Sequence, residues 1–226
     1  MTSHLRTLPF AVLALTLSAC TPSNDTAPAT ATTAAADATA PEARVADAAE
    51  AAPADAFLAA LAQYCGQAFA GRIVANEPAS PEPDAFDGKP LLMHVRGCDD
   101  PTRELRVPFH VGDNHSRTWI LTRTDGGLRL KHDHRLEDGS DDPVTMYGGD
   151  TTSEGTAIRQ SFPVDAESIE MFENEGLTAS VTNTWAMEVE PGKRFLYELT
   201  RPGGRVVPVG FGLTRPVELP PAPWGY

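Results

Sequence analysis

Residues 117–135 read Arg-Thr-Trp-Ile-Leu-Thr-Arg-Thr-Asp-Gly-Gly-Leu-Arg-Leu-Lys-His-Asp-His-Arg, and this stretch decides the fold. Side chains alternate with a period of two on both sides of Asp125-Gly126, a dipeptide suited to a two-residue hairpin turn. With the turn placed there, Leu121 stands opposite Leu130, Trp119 opposite His132 and Arg117 opposite His134. Leu128, Leu130, His132 and His134 then share the face of Trp119 and Leu121, while Arg129, Lys131, Asp133 and Arg135 share the other. A slip of one residue would send the leucines into water, so the register is strongly specified.

Working outward, the same period recurs over 69–74, 91–95, 105–111, 181–189, 195–199 and 206–213, with turn residues between most of these runs. A three-residue loop at Pro191-Gly192-Lys193 pairs Val189 with Phe195, Met187 with Tyr197 and Trp185 with Leu199. Two short helices are expected, one capped by Asp55 and stopped by Gly66, the other running from Asp165 to Gly176. Eight or nine hairpin-linked strands with one apolar face each predict an all-β fold, an antiparallel up-and-down β-barrel of calycin or lipocalin-like type with two short helices; a β-sandwich is the alternative. Pro208, Gly210 and Gly212 at alternate positions predict an edge or frayed last strand. Beyond it, Pro216, Pro220, Pro221 and Pro223 impose an extended tail, whose Trp224 and Tyr226 are expected to dock on the barrel surface or plug one end; an exposed Pro-rich ligand segment is the competing reading.

The chain has 226 residues, 41% apolar and 22% charged, with a formal charge of -13. That length suits one core, and the charge would repel a phosphate backbone, so nucleic acid is excluded as a partner. Residues 1–19 read as a secretory signal, with Arg6 before a short apolar run. The run ends in Leu17-Ser18-Ala19-Cys20, which resembles the lipobox of bacterial lipoproteins and implies acylation, palmitate included, at Cys20. Thr21 in place of an Asp favours the periplasmic face of the outer membrane, making the membrane a partner through the N-terminal lipid. From Cys20 to residue 54, Ala, Thr and Pro dominate, a composition that reads as a flexible tether of roughly 30–35 Å. The folded domain is expected over 55–226. In an oxidising compartment the two remaining cysteines, Cys65 and Cys98, form a disulfide.

Inward-pointing His132 and His134, with Trp119, Arg117 and Tyr147, make a candidate ligand-binding group. Two imidazoles at i and i+2 on a strand could also chelate a metal or act as an acid–base pair, or serve as satisfied polar core. No third ligand, catalytic motif or cofactor-binding signature accompanies them, so neither catalytic residues, a metal nor a cofactor are assigned. By the same parity His94 and His110 point outward and are poor candidates. Asn114-His115-Ser116 reads as a turn, Glu137, Asp138, Asp141 and Asp142 as a solvated acidic hairpin, and Met146-Tyr147-Gly148-Gly149-Asp150 as a portal rim or polar loop.

The 117–135 stretch, Met146-Tyr147-Gly148-Gly149-Asp150 and the terminal Pro223-Trp224-Gly225 resemble an uncharacterised family of bacterial secreted proteins and lipoproteins, across most of 57–226. That family carries no known reaction, so the resemblance implies no catalytic residue. Pro208-Val209-Gly210-Phe211-Gly212 departs from the regular strand expected there. Together these readings predict a membrane-anchored periplasmic lipoprotein, not an enzyme, that binds a small apolar ligand inside its barrel. The alternatives are a cell-envelope protein–protein interaction module and a His-based metal-dependent enzyme.

Overall fold

A computed structural model describes residues 51–75, 86–203 and 206–226. The signal segment, Cys20 and residues 21–50 of the tether lie outside the described residues. The elements are α1 (Pro53–Ala62), β1 (Ala68–Ile73), β2 (Leu91–His94), β3 (Glu104–Val111), β4 (Asn114–Thr124), β5 (Gly127–His134), β6 (Tyr147–Asp150), β7 (Arg159–Pro163), α2 (Ala166–Asn174), a 3-10 turn (Thr178–Ser180), β8 (Thr184–Glu190), β9 (Arg194–Thr200) and β10 (Val206–Gly212). Ten strands form one antiparallel sheet in the order β6-β5-β4-β3-β2-β1-β10-β9-β8-β7, a nearly closed up-and-down barrel. Pairing of β1 with β10 closes the ring, and the seam lies between β6 and β7.

Both hairpins hold the register expected from parity. Leu121 faces Leu130, Trp119 faces His132 and Arg117 faces His134; Val189 faces Phe195, Met187 faces Tyr197 and Trp185 faces Leu199. The inward set forms the core, with Phe69, Met93, Leu105, Val107, Leu121, Leu130, Met187, Val189 and Phe195 all fully buried.

Five details differ from the sequence reading. Asn114-His115-Ser116, read as a turn, opens strand β4, the turn lying at Gly112-Asp113. Helix α1 starts at Pro53, whose missing N–H costs nothing in a first turn, and Asp55 sits within that turn, paired with Arg123 instead of capping. Residues 147–150 are strand β6, not a loop. Their two glycines suit the seam: a Cβ on Gly149 would stand 1.8 Å from the Pro163 carbonyl oxygen, so only glycine lets the strands approach there. Strand β7 went unread because Arg159–Pro163 is short and weakly patterned. Finally, β10 is internal, neither edge nor frayed. Its proline is tolerated because in an antiparallel strand a residue's N and C=O point the same way. Pro208 turns them toward β1, which ends at Ile73, and its carbonyl accepts from Val74 N–H at 3.0 Å.

Helix α1 buries Phe57, Leu58 and Leu61 across one end of the barrel. The Asp55–Arg123 pair ties it beside the β4–β5 turn, and the Tyr64 hydroxyl accepts from Gly192 N–H at 2.6 Å in the β8–β9 turn. The Cys65–Cys98 disulfide, with Cα atoms 6.2 Å apart, fastens the chain after α1 to the segment after β2. Helix α2 is capped by Asp165, which accepts from Ser168 N–H at 2.8 Å, and Lys131 of β5 pairs with Asp165 at 2.9 Å. The Pro-rich tail docks on the barrel's outer surface: Val217 bridges to Ala68, Pro223 is buried, and Trp224 and Tyr226 reach β4 and β5.

Candidate functional site

All five candidate side chains gather on the inner face of β4, β5 and β6. Trp119 and Arg117 come from β4, His132 and His134 from the paired β5, and Tyr147 from β6, where it faces His132. Trp119 stacks on Tyr197 with centroids 4.4 Å apart and on Phe109 at 4.9 Å. His132 stacks on Tyr147 at 4.7 Å and leans on Trp185 at 4.9 Å. This layer fills the middle of the barrel with aromatic rings.

Hydrogen bonds link His132 to Tyr147 and Tyr197, and Tyr147 to His134. His132 Nδ1 donates to the Tyr147 carbonyl at 3.2 Å, which fixes the tautomer and leaves Nε2 to accept from the Tyr197 hydroxyl at 2.9 Å. The Tyr147 hydroxyl lies 3.0 Å from His134 Nε2. Burial, helped by His134 and Lys131, pushes the His132 pKa down to about 3; burial and the Arg117 charge push His134 down to about 4. Burial also pushes Tyr147 up to about 12 and Tyr197 well above its ordinary range. At neutral pH the cluster is therefore uncharged. A histidine titrating near 3 is a poor proton acceptor at that pH, so the geometry favours a rigid polar core over proton transfer. Among the described residues no group of three His, Cys, Asp or Glu side chains could hold a metal ion.

Arg117 differs from the others. It stands at the barrel end opposite α1, half-buried, its guanidinium 5.8 Å from the Phe86 ring centre. Its Nη1 donates to Asn114 Oδ1 at 2.8 Å and to Ser116 Oγ at 3.4 Å. Among the described residues no carboxylate comes within ion-pair distance, and Asp142 acts on it only from further away. The remaining N–H groups have no partner among the described residues and are not among the sealed polar atoms. Burial without a counter-charge lowers the Arg117 pKa.

Two members of the site were missed in the sequence. Tyr197 was legible, because parity already set it opposite inward Met187. Phe86 was not, since nothing periodic surrounds it. Outside the barrel, parity put His94 and His110 on the outer face, and there they lie; His110 is nevertheless only 1% exposed. No protein-family model, no curated protein and no solved structure matches this chain.

Proposed function

We propose that the protein is a lipid-anchored, non-catalytic binding barrel of the bacterial envelope, which takes a small amphipathic ligand at the end opposite α1. The ligand's anionic head, a carboxylate or phosphate, meets Arg117, and its apolar body lies against Phe86. The supporting observation is the half-buried guanidinium without a carboxylate partner among the described residues: in a chain of net charge -13, where acids are abundant, an inward cation unpaired by any described acid suits an external anion. The packed aromatic layer beneath it argues for a ligand seated at the mouth and against one swallowed whole. Anchoring through Cys20 is supported by the lipobox resemblance and by the tether-like composition that follows it.

Thermal unfolding in octanoate, octyl phosphate and octanol tests the binding. Either anion is expected to raise the midpoint of the native chain, octanol to do so weakly, and Arg117→Gln to weaken the anion effect by about 10-fold or more, as for loss of a charge-assisted hydrogen bond. Equal stabilisation of Arg117→Gln, or none by any of the three, refutes the reading. For the anchor, cells fed labelled palmitate should yield labelled protein, and Cys20→Ser should yield none.

A further inference from the structure

The outer face of the barrel holds a second histidine group, which the proposed ligand site does not use. His110 of β3 lies where the β3–β4 register shifts between Phe109 and Val111, and the ring of His115 in β4 packs edge-to-face on it at 4.6 Å. Trp224 of the tail stacks on His115, with planes 13° apart and centroids at 6.3 Å, and its backbone N–H donates to the His115 carbonyl at 3.1 Å. Two residues further, Tyr226 reaches between Arg106 and Arg135 and donates its hydroxyl to buried Asp133. The tail thus crosses β4 and ends on β5.

Behind His115, neither ring nitrogen of His110 has a hydrogen-bond partner among the described residues, nor has Nδ1 of His94 on β2. A buried imidazole with both nitrogens unsatisfied is an anomaly in a folded protein. Such a ring can stay dry only while it is neutral. The groups that act on His110 from every side, His94 and Arg96 from β2 and the residues after it and His115 from β4, are cationic or protonatable. None of them would welcome a second positive charge.

We propose that the C-terminal tail is an acid-released latch: protonation of His110 ejects Trp224 and the residues around it, uncovering the outer face of β2, β3 and β4. Once the tail lifts, water can reach the ring and solvate the imidazolium, so acid favours the open form. The sign follows from the cover itself. Burial and the neighbouring His115, His94 and Arg96 hold His110 at about 4 with the tail down, against 6.5 for an open imidazole. The closed form is therefore fully favoured above 6.5 and weakens as pH falls toward 4. For one such group, linkage gives a docking constant about 20-fold smaller at pH 5 than at pH 7.

Hydrogen exchange at the Trp224 amide, corrected for intrinsic pH dependence, reads the docking constant in the full-length protein, with Leu121 as a core control. Protection at Trp224 should fall about 20-fold between pH 7 and pH 5 while Leu121, which reports global opening, stays better protected than Trp224 at both pH values, and His110→Phe should keep the tail protected at pH 5. Unchanged protection in the wild type, or the same acid release in His110→Phe, overturns the latch. Should His110→Phe fail to fold, a chain ending at Pro220 gives an independent readout: its His110 is expected to titrate above that in the full chain, His115, His94 and Arg96 still holding it below the ordinary histidine value. Equal titration in the two chains overturns the proposal.

Discussion

The Tyr197 hydroxyl and His132 Nε2 meet at 2.9 Å across the barrel, joining residues 65 positions apart on β9 and β5. Because His132 Nδ1 is already spent on the Tyr147 carbonyl, Tyr197 is the group among the described residues that satisfies the second nitrogen. The bond holds an imidazole neutral in the middle of an aromatic layer, where an unpaired polar atom would be costly.

Tyr197→Phe keeps the ring stack on Trp119 and removes only the hydroxyl. It strands a buried acceptor, and the expected loss is about 1–3 kcal/mol of unfolding free energy in urea. A variant as stable as the wild type would show that water or rearrangement replaces the bond at no cost.

Acid should unfold the barrel well above the usual carboxylate range. His132 titrates at about 3 when folded and near 6.5 when open, so its penalty is absent above pH 6.5 and grows as pH falls toward 3. At pH 5 it amounts to about 2 kcal/mol, with His134 adding in the same direction. Denaturant unfolding at pH 7 and pH 5 measures this; a stability that does not fall over that interval contradicts the neutral-core account.

Gly149→Ala tests the seam. The added Cβ would collide with the Pro163 carbonyl, which is backbone and cannot swing aside. Overpacking of this kind costs about 1–3 kcal/mol or more, and hydrogen exchange should rise first in β6 and β7. Unaltered protection in both strands would mean that the seam is looser than the close approach implies.

Replacing Cys65 and Cys98 together by Ser opens a loop whose ends are 33 residues apart. The chain-entropy model assigns about 3.8 kcal/mol to that closure, a large share of a small domain's stability. Urea midpoints of the oxidised wild type and the double variant, at equal m value, provide the comparison.

Parity carried most of the fold. Trp119 opposite His132, Met187 opposite Tyr197 and the two turns follow from period-two patterning and turn chemistry alone, because both are local. Strands β6 and β7 were not legible: Tyr147–Asp150 has two glycines and low strand preference, and it is a strand because Lys131 and Leu130 of β5 pair with it. The same holds for β10, whose Pro208 looks disqualifying until the end of β1 is known. At the candidate site, parity sufficed to turn Arg117, His132 and His134 inward. That Arg117 lacks a counter-charge among the described residues while His132 has both ring nitrogens bonded depends on Asn114, Tyr147 and Tyr197.

The sequence by itself determined the alternating faces, the hairpin registers, the cysteine pairing and the inward histidines, because each depends on neighbours along the chain or on a pairing set by one turn. Only the tertiary structure decided what fills the barrel, which cation goes unpaired and which outward histidine is buried. Those outcomes turn on contacts between strands and a tail far apart in the chain, and burial, not residue type, sets the charge a side chain can carry.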